Sequence, residues 1–596
     1  LDIAKDIVAR TKWPLLGGTI VGIIAFAPIG LAPGSTAEYT GHLFWVVMIS
    51  LLFSWIFAIT AVPLFADLLF DEATSDQQGE IKESRFALIY KQFLSRALHA
   101  RWIVIGAAAG LFALSIWGFQ FVKSGFFPAS TTPQVVVDYW LPEGTDIAFT
   151  KRDMLAIEKQ LAVMPGVEDV QTLVGGGTLR YMLVYSPESR NASYGQFLLK
   201  TDSYESVGLL IPKIQKLLDR EYPNAQAKVW RFQLGPGGGS KIEAEFSGPD
   251  PAVLRDLATQ AKAVMAQDGG AISIKDDWRH PVSVIEPVYS ESRGRRLGIS
   301  RQDMSNALQS NFSGRSVGVY REDDDLIPII ARAPENERLK PESMAGIQIA
   351  SATSGRTAPM LEIVDDIRTV WRDARLQRVN RIWTIKAQSD PMPGELASDL
   401  LVRLRPLIEQ IDLPPGYNLE WGGEFGDSSE SNDDLASTLP LGVLAMVLTV
   451  VLLFNALRQP AIIWLVVPLA LIGVVFGLLV TGTALEFMAI LGLLSLSGLL
   501  IKNGIVLVDQ MDLEIREGKP RFDAVVDSAT SRVRPVAMGA LTTVLGVLPL
   551  FGDAFFKSMA VVMVFGLSFA TVLTLVVLPA LYALFFRISG DERLES

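Results

Sequence analysis

Lys502 is where chemistry can first be read in this chain. It stands in Leu491–Gln510, LGLLSLSGLLIKNGIVLVDQ, an apolar run interrupted further by Asn503 and Asp509. A lysine ammonium in hydrocarbon costs at least ~2.5–3.5 kcal/mol, so it needs an anionic or polar partner in a bundle. Leu499 and Gly498 lie three and four residues earlier on its helix face, and Ser495 falls on the same side. That small, polar face lets another helix come close. Paired with carboxylates, such a lysine is a proton switch: protonating the acids frees the ammonium, and helix packing must then change. The competing reading is a snorkelling side chain. At ~1.5 Å per residue, Lys502 lies roughly 13 Å from the Met511 end of the run, within reach of such a bend.

Elsewhere few patterns carry chemistry. Gly175–Gly177, with Thr178, Leu179 and Arg180, is bounded by Leu173, Val174, Tyr181, Met182 and Tyr185. No Gly-Lys-Ser/Thr follows and the stretch joins two expected strands, so a phosphate cradle fits poorly and a flexible hairpin fits better. The methionines of the polar middle (Met154, Met164, Met182, Met265, Met304, Met344, Met360, Met392) show no short spacing, whereas a soft-cation site would cluster them. Asp323–Asp325 reads as a solvated loop tip or a contact for a partner. His280 stands alone beside Arg279 and Pro281, and no Ser/His/Asp or paired-carboxylate motif stands out.

Of 596 residues, 49% are hydrophobic and 20% charged, a mixture that fits a membrane protein with a large water-facing part. The net charge of −11 argues against a nucleic-acid partner. The lack of cysteine excludes a disulfide framework and cysteine metal sites. The chain opens at Leu1 without a signal-peptide pattern, and its first apolar stretch reads as the middle of something, so a fragment or processed product is expected.

The elements that must position Lys502 are membrane spans. Eight windows are apolar over about 20 residues, the length a bilayer requires: 13–32, 43–66, 102–122, 437–457, 461–482, 487–510, 535–552 and 559–586. Basic residues crowd five segments, including Lys82–Arg101 and Arg516–Arg534, while the turns near 33–40, 481–486 and 552–556 carry almost none. By the positive-inside rule both termini are cytoplasmic and a block of about 310 residues projects outside. The basic connections 80–100 and 515–533 read as amphipathic helices on the inner surface, or as plain basic loops. Within the external block, strands at Gln134–Leu141, Val167–Val174, Leu179–Tyr185 and Ala227–Phe232 alternate with helices at 145–164 and 203–220, giving β-α-β-β-α-β. A second copy begins at Lys241–Phe246, with a helix at 250–266 and strands at 271–275 and 282–287. It is interrupted over 295–378 and resumes with a strand at Arg381–Gln388, a helix at 394–410 and a strand at Tyr417–Trp421. A second glycine run, Gly235–Gly239, links the copies. The fold class is a helical membrane bundle with an α+β external part built from two ferredoxin-like units.

Five motifs in this order resemble the resistance-nodulation-division (RND) transporters, in particular drug–proton antiporters. They are Gly125–Thr132 (GFFPASTT), Leu141–Thr145 (LPEGT), Leu499–Asp509 (LLIKNGIVLVD), Arg532–Met538 (RVRPVAM) and Leu541–Leu550 (LTTVLGVLPL). The match resembles spans five to twelve of a twelve-span protein. It implies spans at 1–70 and 101–123, an amphipathic connection at 71–100, and a first porter subdomain at 124–238. A second porter subdomain is implied at 239–292 and 379–432 around a docking-type insert at 293–378, then spans over 433–588 and a tail at 589–596. The resemblance implies a proton relay of Lys502, Asn503, Arg532, Thr542 and Thr543, with Lys502 paired to two aspartates on an upstream span. Gly539 stands where the family often has threonine, so Thr542 or Thr543 would supply that hydroxyl. Leu173, Val174, Gly175, Gly176, Gly177, Thr178, Leu179 and Tyr181 match the family's switch loop, in a pocket expected to be less aromatic than usual. The implied function is proton-driven efflux of amphiphilic compounds. The working unit would be an inner-membrane homotrimer with a periplasmic adaptor and an outer-membrane channel, using no cofactor and no resident metal. The alternatives are a heavy-metal exporter of the same family and a membrane-anchored receptor or enzyme.

Overall fold

A computed structural model describes residues 2–69, 85–182, 185–235, 238–338 and 340–588. The first helices are α1 (Asp2–Leu31), α2 (Ser35–Thr40), α3 (His42–Leu69), α4 (Arg85–His99) and α5 (Arg101–Phe119). α3, α5 and α1 beyond Lys12 are largely apolar around their circumference, which suits helices surrounded by other helices and lipid. α4 is amphipathic as expected: Leu94, Ala97 and Leu98 are buried while Leu88, Ile89 and Phe93 are exposed. The remainder of that connection, 70–84, lies outside the described residues, as do 183–184, 236–237 of the second glycine run, and the 589–596 tail.

β1 (Gln134–Trp140), α6 (Ile147–Leu161), β2 (Val167–Val174), β3 (Tyr194–Thr201), α7 (Tyr204–Glu221) and β4 (Gln226–Trp230) follow. They form one sheet of order β2-β3-β1-β4 with βαββαβ connectivity. Val135, Val137 and Tyr139 of β1 pack on Ile157 and Leu161 of α6 and Ile214 of α7, giving this unit its own core. Ser203 caps α7 by accepting from the Ser206 N–H. Just before α6 the Thr145 hydroxyl donates to the Pro142 carbonyl at 2.6 Å. A correction concerns Leu179–Tyr185, which is not a strand in its described part. The central place is taken by β3, whose residues are buried on both faces as a strand with two neighbours requires. Tyr185 instead packs with Val136 and Phe232 across the sheet's other face.

The chain then runs β5 (Ile242–Gly248), α8 (Pro251–Asp268), β6 (Ala271–Asp276), β7 (Val282–Tyr289), α9 (Glu291–Leu297), α10 (Arg301–Phe312), β8 (Arg315–Glu322), β9 (Asp325–Ala331), α11 (Glu335–Arg338), β10 (Gln348–Ala350), β11 (Thr357–Pro359) and β12 (Val364–Arg372). It returns through β13 (Arg378–Val379), β14 (Ile382–Pro391), α12 (Ala397–Ile408) and β15 (Asn418–Gly422). The second sheet has the order β13-β14-β5-β15, with β6 also paired to β14. β7, expected in this sheet, pairs antiparallel with β12 instead. It therefore belongs to the smaller of two compact units, residues 142–146 and 278–377. In that unit Met304, Met344 and Met360 converge in one core with Ile299, Ile349 and Ile363. Methionines scattered in sequence thus meet as packing. The β8–β9 hairpin of this unit is exposed on both faces, and Asp323 and Asp324 form its tip.

α13 (Gly423–Phe454), α14 (Arg458–Val466), α15 (Ala470–Thr481), α16 (Phe487–Arg516), α17 (Arg521–Val547) and α18 (Lys557–Phe585) complete the chain. Among the described residues, eight helical stretches are long and apolar enough to cross a membrane. The expected amphipathic connection 515–533 is not a separate surface helix. α16 runs to Arg516 and α17 starts at Arg521, and Phe522, Val525 and Val526 are buried in the bundle core.

Candidate functional site

Small residues set the position of Lys502. A Cβ at Gly18 of α1 would stand 2.7 Å from Lys502 Cγ, so only glycine leaves room there for the lysine stem. One turn further along, a Cβ at Gly498 would meet Ala25 Cβ at 3.0 Å and Gly22 Cα at 3.2 Å. α1 and α16 thus cross on the small face that the sequence marks, at a distance a larger residue would forbid. Lys502 itself is half-buried and opens on a cavity of about 600 Å³ within the helical bundle. Asn503, Arg532 and Thr543 share that cavity. Arg532 donates through its guanidinium to Gln510 Oε1, and the Thr543 hydroxyl donates to the Gly539 carbonyl at 2.9 Å.

Thr542 departs from the expected set. It is exposed, donates to the Met538 and Gly539 carbonyls, and does not line the cavity. Of the two candidate hydroxyls, Thr543 is the one that faces Lys502's cavity, together with Gly539. Among the described residues no carboxylate forms an ion pair with Lys502. Asp509 is on the same cavity wall and was not among the expected relay residues. Its seven-residue separation from Lys502, close to two helical turns, was the signal available.

The second candidate region is the external loop. β2 ends at Val174, and Gly175 turns the chain in the left-handed region with φ 79°. The Gly175 N–H donates to the Tyr194 carbonyl at 2.8 Å, and the Thr178 N–H donates to Gln196 Oε1 at 2.9 Å. Gln196 in turn donates to Asp138 Oδ1 at 2.9 Å, where the Tyr194 hydroxyl also donates at 2.6 Å. The root of the loop is therefore tethered, while Leu179 is 87% exposed at its far end.

More rings gather beside the loop than its sequence neighbours suggest. Tyr181, Tyr185, Trp230 and Phe232 form one ring cluster, with centroids 5.4–6.4 Å apart. Trp230 ends β4 and Phe232 follows it, some fifty residues beyond the loop, so inspection of neighbours could not find them. Tyr185, Trp230 and Phe232 line an external cavity of about 920 Å³ between the two sheets, with Gln196 and Asp138. Leu173, Val174 and the loop residues from Gly175 to Tyr181 do not line it.

Lys228 of β4 and Asp390 of β14 bridge the two sheets at 2.8 Å on this wall, and Lys241 pairs with Glu424 at 2.6 Å. Lys275 also faces the cavity, and burial followed by the charge of Lys228 holds its ammonium below the ordinary lysine pKa. Among the described residues no ion pair of Lys275 occurs. On the same wall burial raises the Glu486 carboxyl to about 7. Among the described residues, no group of three or more His, Cys, Asp or Glu is arranged to hold a metal ion.

A helical bundle with Lys502 at a small-residue crossing, and with two βαββαβ units joined across a large cavity, is a membrane-type architecture with an α+β part. The chain belongs to the AcrB/AcrD/AcrF family, whose profile matches residues 4–586. This is a family of RND transporters, multi-pass proteins of the inner membrane with a large periplasmic part. The chain is 25% identical over 597 residues to the nickel-cobalt-cadmium resistance protein NccA of Alcaligenes xylosoxydans xylosoxydans, covering 96% of this chain and 55% of that protein. It is 24% identical to the cobalt-zinc-cadmium resistance protein CzcA of Cupriavidus metallidurans, covering 98% and 56%. A crystal structure of a heavy metal efflux pump shares the fold, with TM-score 0.78 and 23% identity over 98% of this chain and 59% of that one. The chain spans a little over half the length of the curated relatives it matches.

Proposed function

We propose that the protein to which this chain belongs is a proton-driven efflux permease whose power stroke is set by Lys502. The observation that carries this is the convergence of Lys502, Asn503, Arg532 and Thr543 on one cavity inside the bundle. Protonation of carboxylates facing that cavity would release the ammonium and change the packing of α1 on α16, which already lie at contact distance. One charge crossing 100 mV is worth about 2.3 kcal/mol, enough with a pH gradient to drive such a change.

The eight apolar stretches are then eight membrane spans. The βαββαβ units are two porter subdomains, 124–238 and 239–292 with 379–432, and 293–378 is the docking-type insert. The complete permease works as a homotrimer with a periplasmic adaptor and an outer-membrane channel. Leu173–Tyr181 is the switch loop beside the cargo path, moving about the tether at Gln196.

For the cargo, the names of the relatives favour divalent metal cations over amphiphiles. The external cavity is compatible with this, since its lining holds six carboxylates against five basic groups. Amphiphilic cargo is the second reading, favoured by the wall of Tyr185, Trp230 and Phe232 beside Lys275. One experiment separates them: expression of the full-length gene in an efflux-deficient Gram-negative host, challenged with Ni²⁺, Co²⁺, Zn²⁺ and Cd²⁺ and with cationic dyes and detergents. Metal tolerance that is lost in Lys502→Met supports the metal reading, and dye tolerance alone supports the second. Tolerance to neither refutes export of both kinds.

A further inference from the structure

α16 carries a second charge that the Lys502 switch does not use. Asp509 lies seven residues further along, about 10.5 Å down the axis and within about 20° of the same bearing. Both side chains line the 600 Å³ cavity. Neither has a hydrogen bond or ion pair among the described residues. The charged groups around Asp509 are Arg532 from α17 and Asp512 and Arg516 from α16 itself. Each already has a partner. Asp512 accepts from the Tyr582 hydroxyl and from Gln459 Nε2, Arg516 Nε donates to the Asp512 carbonyl, and Arg532 donates to Gln510. From α1 and α3 the described lining residues, including Thr11, Leu15, Ile59 and Val62, are uncharged.

A carboxylate at the cytoplasmic end of a membrane span, without an ion pair among the described residues, marks a candidate ion or proton path. By the distribution of basic residues, the Arg516 end of α16 is the cytoplasmic one. The separation from Lys502 exceeds hydrogen-bond reach. A proton can cross that gap along a short chain of waters bridging polar groups on the cavity wall.

We infer that Asp509 is the inner proton port of this permease, an inference that rests on the proton-switch reading of Lys502. The O–H bond of a protonated carboxyl facing Lys502 breaks, and the released proton forms an O–H bond on the Asp509 carboxylate. That bond then breaks to water at the cytoplasmic mouth, restoring the carboxylate for the next cycle. Arg532 lines the same cavity and donates to Gln510, not to Asp509.

The test uses the full-length protein in proteoliposomes loaded with a pH-sensitive dye, with Zn²⁺ and ethidium as cargo probes. Wild type, Asp509→Asn, Asp509→Glu and Lys502→Met are compared for cargo-dependent proton flux at several cytoplasmic-side pH values. Asp509→Asn is expected to lower turnover at least 10-fold, with the KM for the transported probe unchanged and the dependence on cytoplasmic-side pH lost. Asp509→Glu is expected to restore turnover and move that pH profile upward by up to ~0.4 units, the difference between the two carboxyls. If Asn fails to assemble, the Glu profile alone decides. An unshifted profile, or an Asn variant with wild-type turnover, overturns the port. Should Lys502→Met be inactive while Asp509→Asn is normal, the port alone falls. Normal flux in Lys502→Met, or no cargo-dependent flux in wild type with either probe, overturns the switch and the port with it.

Discussion

Lys386 of the external sheet and Lys502 of the helical bundle are both half-buried ammonium groups, and they are held in opposite ways. Lys386 lies between two carboxylates, 2.6 Å from Glu245 and 3.1 Å from Glu243. Burial pulls its pKa down, but the Glu245 hydrogen bond and the Glu243 charge outweigh burial and leave it above the ordinary lysine value. Lys502 faces a cavity and has no ion-pair partner among the described residues. Paired charges fix a fold, whereas a charge that opens on a cavity remains available to exchange partners. The contrast places Lys386 in the architecture and fits the switching role proposed for Lys502.

The comparison can be broken most easily at Lys502. In the full-length protein, Lys502→Met should lower cargo export at least ~100-fold, the scale of a lost proton-transfer group, with trimer yield unchanged in membranes. Normal resistance in that variant would erase the distinction between the two lysines.

Next in size is Gly18→Leu, which drives a side chain into the Lys502 stem. Overpacking of this kind costs about 1–3 kcal/mol, and export should fall roughly in the proportion that this energy implies. Gly18→Leu with wild-type transport would mean that α1 does not hold Lys502 in place.

Lys386→Met should do the reverse, leaving export near normal while the external part melts earlier. It removes the cation between Glu243 and Glu245, but Gln388 still donates to Glu243 and Lys386 is 27% exposed, so the cost falls below the buried-pair range, at about 1–3 kcal/mol. For the raised lysine, the stabilisation is present at all pH values below the ordinary lysine pKa and is lost only as pH rises past the elevated one. The wild-type contribution should therefore be flat between pH 5 and 9, as melting curves across that range would report.

The smallest effect is expected at Glu486, whose carboxyl titrates near 7 because burial disfavours its charge. A raised acid binds its proton more tightly in the folded state. Its penalty is absent below the ordinary glutamate pKa and grows until the pH passes about 7. Thermal stability of the wild type should fall slightly over that window, and Glu486→Gln should remove the slope.

Much of this was legible in local pattern. Lys502, Gly498 and Ser495 share a helix face by spacing alone, and the apolar windows map onto the helices because a span must be apolar over its whole length. What escaped depends on contacts between distant segments. Trp230 and Phe232 join Tyr185 only once β4 lies at the edge of its sheet. Leu179–Tyr185 alternates like a strand, yet β3 has the better claim to the centre because both of its faces are buried. β7 carries strand propensity but no sign that its partner is β12. Asp509 was visible as an interruption, but its place on the Lys502 cavity emerges only when α1, α3, α16 and α17 assemble around it.

The β8–β9 hairpin carries a practical consequence. A ribbon of two strands is marginally stable by itself, and this one presents Val317, Val319, Tyr320, Leu326, Ile327, Ile329 and Ile330 to solvent. Its unpaired strand edges and greasy flanks make it ready to zip onto a foreign chain. Preparations of residues 278–377 cut away from the rest of the molecule will clump through this ribbon before they denature.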